Sequence, residues 1–350
     1  MTADASAPAL GTRFRRPSFV GAIGMLFVVL VVVLLIKELT VSPSQFFQTT
    51  LIGVTNGAVY ALIALGYTLV YGILELINFA HGDVFMLAGM FAITFSTHFF
   101  GLHHGQGFAI VPIVFATLLL TMAACGAINA TIEFVAYRPL RGAPRLAPLI
   151  TAIGVSFIIE DIGLAWKGPT YVNAPDVFPH SNVFSVGGVD YQWNHLIVVL
   201  ITIPVLLALL YLVQRTRQGK AMRATAQDKD AAAIMGINVN RTISFTFLIA
   251  GALAGAAGTL YALWATTVRF DQGFQLGLIA FTAAVLGGIG NLPGAVLGAV
   301  TIGLIQAWNE GLPWHMPGSD WTESIVFSIL ILILIFRPEG LLGERTPEGG

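Results

Sequence analysis

Long apolar runs separated by short polar segments recur along the whole chain. A helix needs about 20 mainly apolar residues to cross the hydrocarbon core of a bilayer, and backbone groups in lipid must find partners within their own segment. The pattern therefore predicts an all-α, polytopic membrane protein with about ten transmembrane helices. The predicted spans are 18–38, 50–71, 78–97, 108–133, 147–166, 194–213, 242–265, 276–290, 293–311 and 322–336.

The composition supports this fold class. Hydrophobic residues make up 56% of the chain and charged residues 10%, with a mean hydropathy of +0.82, whereas soluble domains carry about 25% charged residues. The period-two alternation of a transmembrane β-barrel is not seen. A net charge of −1 indicates no nucleic-acid partner. Cys125 is the only cysteine, so no intrachain disulfide or cysteine-based metal site is expected.

The distribution of Lys and Arg predicts the orientation of the spans. With the N-terminus in the cytoplasm, the outer segments hold only Lys37, Lys167 and Arg269 of the 17 basic residues. Because cytoplasmic segments are enriched in Lys and Arg, both termini are predicted to be cytoplasmic. The short, glycine-rich run 276–290 either crosses the membrane or forms a re-entrant hairpin with the next run, and both alternatives preserve the orientation.

One stretch between the second and third predicted spans is unusually polar. GILELINFAHGDVFMLAG, residues 72–89, carries Glu75, Asn78, His81 and Asp83. In one interpretation Asn78 caps the third helix and Asp83 complements its dipole. In the other, the helix is interrupted near 72–83 within the membrane and Asn78, His81 and Asp83 line a cavity, since ionisable groups in spans usually face a cavity or the bundle interior. Glu75 is expected at the inner membrane surface.

A second interruption is predicted near 287–293, in the sequence GGIGNLPG, where Asn291 starts the next helix. Paired interrupted segments are typical of transport sites. The second span also carries a polar stripe at helical spacing, which suits either a pathway wall or helix packing. The candidate pathway residues are Asn56, Tyr60, Tyr67, Asn78, His81, Asp83 and Asn291.

No catalytic motif is present, because the chain lacks G-x-x-x-x-G-K-[ST], H-E-x-x-H and G-x-S-x-G. We therefore expect a transport protein that is not an enzyme and binds no cofactor or metal itself. Its longest cytoplasmic segment, 214–241, predicts a short helix over 226–236 that either contacts a partner or rests on the bilayer. The residues that would make this partner contact are Asp228, Lys229, Asp230, Ala231, Ala232 and Gly236.

Five motifs occur in order along the chain: GYTLVYGILELINFAHGDVFMLAG (66–89), AYRPLRGAPRLAPLITAIGVS (136–156), GKAMRATAQDKDAAAIMGINVNR (219–241), AFTAAVLGGIGNLPGAVLGA (280–299) and RPEGLLG (337–343). Together they resemble the branched-chain amino acid ABC-importer permease family, of the LivH type. The resemblance begins near residue 48 and covers nearly all of the chain after it. It implies that 226–236 is the coupling helix, although the extended downstream form of the family's loop motif is missing.

The resemblance implies half of a translocation pathway in a bacterial-type plasma (inner) membrane, working by alternating access. Its implied partners are a homologous second permease in a hetero-dimer, two cytoplasmic ABC ATPase subunits that use the ATP, and an extracytoplasmic solute-binding protein. Because the family also includes permeases for urea, short amides and other small solutes, the substrate stays open at this point. A stand-alone secondary transporter or channel is the alternative from another class.

The implied organisation has four parts. A polar cytoplasmic leader over 1–17 is followed by an extra N-terminal span within 18–47. The permease transmembrane domain covers 48–343 and includes the coupling loop 214–241, and a polar tail covers 344–350.

Overall fold

The computed structural model describes residues 32–102, 110–144, 146–175, 181–312, 318–337 and 339–343. The predicted leader and tail, and most of the predicted first span, lie outside these residues. The helices are α1 (32–41), α2 (Pro43–Leu74), α3 (Ala80–Thr94), α4 (Ile110–Ile132), α5 (Leu146–Lys167), α6 (Trp193–Arg215), α7 (Arg217–Gln227), α8 (Lys229–Ile234), α9 (Val239–Ala265), α10 (Gln272–Gly287), α11 (Leu292–Gly311) and α12 (Thr322–Phe336).

Short elements extend or join these helices. A π-helical turn, Phe95–Phe99, continues α3, and another, Glu133–Tyr137, continues α4 into the 3-10 turn Arg138–Leu140. A 3-10 turn, Gly318–Trp321, precedes α12. The strands β1 (Val172–Asn173) and β4 (Thr267–Val268) pair antiparallel, and β2 (Asn182–Val186) pairs with β3 (Val189–Gln192) as a hairpin.

Seven helical segments in the described part of the chain are long and apolar enough to cross a membrane. They confirm the prediction of an all-α, polytopic membrane protein. Helix α10 has 16 residues and is shorter than these seven segments. A short helix was predicted here from the glycine-rich run. The number of ten spans and the cytoplasmic position of both termini stay predictions. The seven segments are Pro43–Leu74, Ile110–Leu140, Leu146–Lys167, Trp193–Arg215, Val239–Ala265, Leu292–Gly311 and Gly318–Phe336.

The core is built around α2, whose residues from Gly57 to Val70 are all buried. It packs against α11, α9 and α10, while α3 packs against α9, α10, α5 and α4. The approach of α2 to α11 is close, because a Cβ at Gly57 would lie 2.7 Å from the Cα of Val300. Small residues of this kind let helix backbones meet in a membrane, where no hydrophobic force draws apolar helices together.

The outer helices α5, α6 and α12 present apolar side chains on the surface. Phe157, Leu207 and Ile335 are all more than half exposed. An apolar outside and a close-packed inside are what a bilayer requires of helices that cross it. The polar side chains of the core are therefore the groups that need an explanation.

Candidate translocation and coupling sites

The first interruption lies between α2 and α3. Helix α2 ends at Glu75, which adopts the left-handed conformation with φ 56° and ψ 29°, and residues 75–78 are not helical. Helix α3 then begins at Ala80, with Asp83 in its first turn. Its N-cap position is Phe79, and no side chain caps the helix. The prediction that Asn78 caps α3 is therefore wrong, whereas the predicted position of Asp83 in the first turn is confirmed.

Asn78 has a different partner, which explains the missing cap. The Tyr137 hydroxyl donates a 2.7 Å hydrogen bond to Oδ1 of Asn78. Both residues are buried, at 3% exposure each. A buried amide oxygen needs a donor because leaving it unpaired costs about 1–3 kcal/mol. Tyr137 thereby joins the end of α4 to the interruption.

His81 is fully buried between α2 and α3. Its ring centroid lies 4.9 Å from that of Tyr67, and the two planes meet at 71° in an edge-to-face arrangement. The ring occupies the space beside Gly66, where an added Cβ would overlap the imidazole. Gly66 is thus required by the close approach of His81.

Asp83 is also fully buried and accepts a hydrogen bond from the Ser156 hydroxyl of α5. On its other side lies α10, where a Cβ at Gly273 would come within 2.8 Å of the Asp83 Cα. Its position in the first turn of α3 places the carboxyl group at the positive end of the helix dipole. Asp83 therefore fixes the start of α3 against both α5 and α10.

These side chains form one buried polar cluster at the junction of α2, α3, α4 and α5, with α10 beside it. The structure brings together four predicted pathway residues and adds two that the prediction missed. Tyr137 and Ser156 both lie in the sequence motif at 136–156, and that motif is the feature of the sequence that could have pointed to them. The cluster consists of Tyr67, Asn78, His81, Asp83, Tyr137 and Ser156, all buried.

The other predicted pathway residues lie elsewhere. Asn56 is buried on α2. The Tyr60 hydroxyl donates a 2.6 Å hydrogen bond to Oε1 of Gln306 on α11, and the Gln306 amide donates to Glu310 at 3.1 Å. Tyr60 therefore belongs to a polar contact between α2 and α11, apart from the buried polar cluster.

The second interruption joins α10 and α11. Asn291 caps α11, because its Oδ1 accepts from the Gly294 N–H at 2.9 Å. Its amide donates to the Leu342 carbonyl at 2.7 Å, while the Leu341 and Leu342 N–H groups donate to Leu286 and Gly287. The segment 339–343 thus satisfies carbonyls in the last turn of α10 that have no partner within their own helix. Two sequence motifs separated by about 50 positions form this single junction.

The predicted coupling helix over 226–236 is divided in two. Asp228 is extended, with φ −155° and ψ 114°, and separates α7 from α8. Its carboxylate accepts from the N–H groups of Asp230 and Ala231 at 2.8 and 2.9 Å, which caps α8. A carboxylate at an N-cap satisfies donors that the helix leaves free. The chain therefore ends one helix and starts another at this residue.

The end of α8 turns sharply at Gly236, as the sequence predicted. Gly236 has φ +83°, and its N–H donates to Ala233 while that of Ile237 donates to Ala232, both at 3.0 Å. This pairing is a Schellman motif, which favours glycine. Ala232 faces inward and is 4% exposed, whereas Ile234 and Met235 are 86% and 81% exposed. The turn thus presents two large apolar side chains to the outside of the chain.

A charged contact joins the extension of α4 to the segment that follows it. Glu133 of the α4 extension is fully buried and pairs with Arg141. The Ser244 hydroxyl donates to the same carboxylate at 2.5 Å, and Arg141 also donates to Asn240. Burial lowers the pKa of the Arg141 guanidinium from its ordinary value, although the nearby Glu133 carboxylate opposes this shift. The contact joins the end of α4 to the start of α9.

Comparisons with known proteins show what this sequence is similar to. A family model described as "Branched-chain amino acid transport system / permease component" matches residues 49–335. The chain is 38% identical to BraD of Pseudomonas aeruginosa, a high-affinity branched-chain amino acid transport system permease protein, with 87% of this chain and 98% of BraD covered. It is 36% identical to LivH of Escherichia coli, with coverage of 87% and 97%.

A more distant relative represents a second kind of permease. LivM of Salmonella typhimurium is 25% identical, with 84% of this chain and 70% of LivM covered. The family model covers most of the chain and runs through both interruptions, the buried polar cluster and the α7–α8 segment. The chain therefore belongs to the family of permease components of branched-chain amino acid transport systems.

Proposed function

We propose that this chain is one permease subunit of an ATP-binding-cassette importer for branched-chain amino acids and forms half of its translocation pathway. The observation that carries the proposal is the match of 87% of the chain to permeases named for these solutes, at 36–38% identity. Urea or short amides as substrates are not favoured, because these relatives are branched-chain amino acid permeases.

The proposed partners follow from the same relatives. LivM, which is also named as a permease, resembles this chain at 25% identity, which supports a homologous second permease in a hetero-dimer. Two cytoplasmic ATPase subunits would use the ATP, and an extracytoplasmic binding protein would deliver the solute. The chain would bind no cofactor itself and would lie in the bacterial inner membrane, with ten spans and both termini cytoplasmic.

The α8 turn is the proposed contact with an ATPase subunit. Its exposed Ile234 and Met235 are large apolar groups beside charged residues of α8, and buried apolar anchors typically dominate the energy of an interface. The rigid caps at Asp228 and Gly236 let α8 transmit a displacement to α9, against which it packs. ATP-driven closure of the ATPases would then switch the pathway by alternating access.

The buried polar cluster is the proposed element that this switch rearranges. It lies at the junction of α2, α3, α4 and α5, so a relative movement of these helices changes its contacts. Ionisable residues within membrane spans often mark transport pathways. We expect the cluster to line or to support the pathway, together with Asn56 and Tyr60 on α2 and Asn291 at the second interruption.

Reconstitution tests the proposed function. The chain is co-purified with its partner permease, ATPases and binding protein, placed in liposomes and assayed for ATP-dependent uptake of L-leucine, with urea as the comparison solute. We expect uptake of leucine that requires ATP and the binding protein. Leucine uptake without ATP would contradict the importer assignment and favour a secondary transporter.

Crosslinking tests the α8 contact. Cysteines are placed at exposed Ile234 and, as the matched control, at buried Ala232. The native Cys125 can stay, because it is buried and should not react. We expect Ile234→Cys, and also Ala231→Cys, to crosslink to a cysteine in the ATPase groove, while Ala232→Cys does not. An assembled complex with no crosslink at either exposed position would contradict the contact.

A further inference from the structure

A cavity of about 340 Å³ lies beside α8, outside the buried polar cluster. Its walls come from the end of α2, the segment after α4, the start of α5, α8 and the start of α9. The volume falls near the lower end of the range of about 300–1,000 Å³ for small-molecule sites. Most of the wall is aliphatic, formed by Leu74, Leu76, Leu140, Pro148, Val239 and Ile243.

Two charges of opposite sign lie on different walls of this cavity. Glu75, at the end of α2, and Lys229, in α8, both line it and are both exposed. Neither has an ion-pair partner among the residues that the structure describes. Each therefore has free capacity for a charged ligand.

The third charged group, Arg141, is largely compensated by buried Glu133. Its Nε is nevertheless buried and has no hydrogen-bond partner in the described chain. Because this atom is buried, the Arg141 wall offers a ligand only the partly compensated charge of the guanidinium.

The backbone at Glu75 supports a ligand role for this side chain. Within the described residues, Glu75 and Thr266 are the only residues other than glycine with a positive φ. Such conformations are costly and cluster at functional sites. At Glu75 the conformation places a carboxylate beside the cavity, where glycine would relieve the strain.

The charges on the walls restrict the ligand class. A simple anion would meet the Glu75 carboxylate, and a simple cation would meet Lys229 and Arg141. A molecule with an ammonium group, a carboxylate and an aliphatic side chain satisfies all the walls together. Opposite charges favour each of its ends, while the aliphatic wall gives its side chain apolar surface to contact.

We propose that this cavity binds an aliphatic α-amino acid as a zwitterion, with the ammonium group toward Glu75 and the carboxylate toward Lys229. The assignment rests on the proposed function, which places the cavity on the cytoplasmic side and makes such an amino acid the transported product. Because the ligand would touch both α8 and the end of α2, it would hold these elements together. Accumulated product would then slow further import.

Binding is tested by calorimetry on the detergent-purified complex of both permeases and both ATPases, without the binding protein, with L-leucine and with 4-methylpentanoate, which lacks the amino group. We expect Glu75→Gln to weaken leucine binding about two- to fivefold, the size of a solvent-exposed ion pair, and to leave 4-methylpentanoate no weaker. Glu323→Gln, at an exposed glutamate of α12, is the matched control. Equal weakening of both ligands, or no binding of leucine to the wild type, would overturn the proposal.

A second variant fills the cavity. Ala143 lines it and is half-buried, so Ala143→Phe is expected to abolish leucine binding without any change of charge. Leucine binding that survives this substitution in a folded transporter would place the ligand elsewhere. If Ala143→Phe does not fold, the comparison of Glu75→Gln with Glu323→Gln still decides the proposal.

Regulation is tested in proteoliposomes that are empty or preloaded with L-leucine. Preloading is expected to slow ATP-driven uptake by the wild type and by Glu323→Gln, but not by Glu75→Gln. Into empty vesicles, Glu75→Gln is expected to transport at the wild-type rate. Absence of ATP-driven uptake by the wild type counts against the proposed function. If uptake is normal and Glu75→Gln binds leucine as tightly as the wild type, the cavity assignment is wrong but the proposed function stands.

Discussion

The Tyr137 hydroxyl donates a 2.7 Å hydrogen bond to Oδ1 of Asn78, and both side chains are buried. This bond joins the π-helical end of α4 to the non-helical segment between α2 and α3. The interruption is therefore held by a side chain from another helix. A loose loop of the same sequence would leave the buried Asn78 amide without its donor.

Removal of the Tyr137 hydroxyl is expected to destabilise the protein. Tyr137→Phe leaves Oδ1 of Asn78 buried and unpaired, at a cost of about 1–3 kcal/mol, and lowers the thermal-unfolding midpoint of the purified transporter. Tyr211→Phe, at a 67% exposed tyrosine, is the control. Equal midpoints for the two variants would mean that the bond contributes nothing to stability.

Gly66→Ala is expected to reduce the amount of folded protein, because the new methyl group overlaps the His81 ring. Overpacking of this kind costs about 1–3 kcal/mol. Since His81 supplies the nearest atoms, Gly66→Ala combined with His81→Ala should recover part of the loss. Gly154→Ala is the helical control, because a Cβ there meets nothing within 4 Å. Size-exclusion yield and unfolding midpoint measure the effect, and no recovery in the double variant would contradict this contact.

Glu133→Gln is expected to destabilise the junction of α4 and α9, because it leaves Arg141 without its counter-charge. Breaking a buried ion pair costs about 3–5 kcal/mol, and the lower end applies because the Arg141 side chain is 20% exposed. Adding Arg141→Met should restore much of the stability, since no unpaired charge then remains. Denaturant unfolding measures the free energy of unfolding of both variants. A double variant that is less stable than Glu133→Gln would contradict this explanation.

Asp228→Ala is expected to loosen α8 by about 1 kcal/mol through the loss of its N-cap. Asp228→Asn keeps an acceptor oxygen at the same place and should behave like the wild type, if the capping bond matters more than the charge. The measurement is hydrogen exchange at Asp230 and Ala231, together with leucine uptake per ATP hydrolysed. An equal defect in both variants would instead identify the charge as the important feature.

Substitutions in the buried polar cluster are expected to lower leucine uptake at matched expression. Asn78→Ala, His81→Ala and Asp83→Ala each remove a buried polar group, and Asp83→Ala also removes the acceptor for Ser156. Asp83→Asn keeps an acceptor oxygen and should retain more uptake than Asp83→Ala. Glu323→Gln is the control for general effects of expression. Wild-type rates in all three alanine variants would exclude a pathway role for the cluster.

The positions of the helices could be predicted from the sequence alone. The predicted spans 194–213, 242–265 and 322–336 lie within helices α6, α9 and α12. These predictions depend on local apolar content, which decides whether a segment is stable in lipid. The turn at Gly236 and the cap at Asn291 were also predictable, because glycine and asparagine favour these conformations through their own chemistry.

The contacts of the candidate sites were decided only by tertiary structure. Asn78 was a reasonable cap for α3 on local grounds, but Tyr137, 59 positions away, takes its Oδ1. Ser156 bonds to Asp83 across 73 positions, and no local pattern encodes such a pair. Likewise, Asp228 divides the predicted coupling helix, and Glu75 becomes a cavity wall through a left-handed backbone. The sequence by itself determined which long segments are membrane helices, because that choice depends on the apolar content of neighbours along the chain. Only the packed fold determined which buried polar groups pair, because each must find its partner among whichever helices pack beside it.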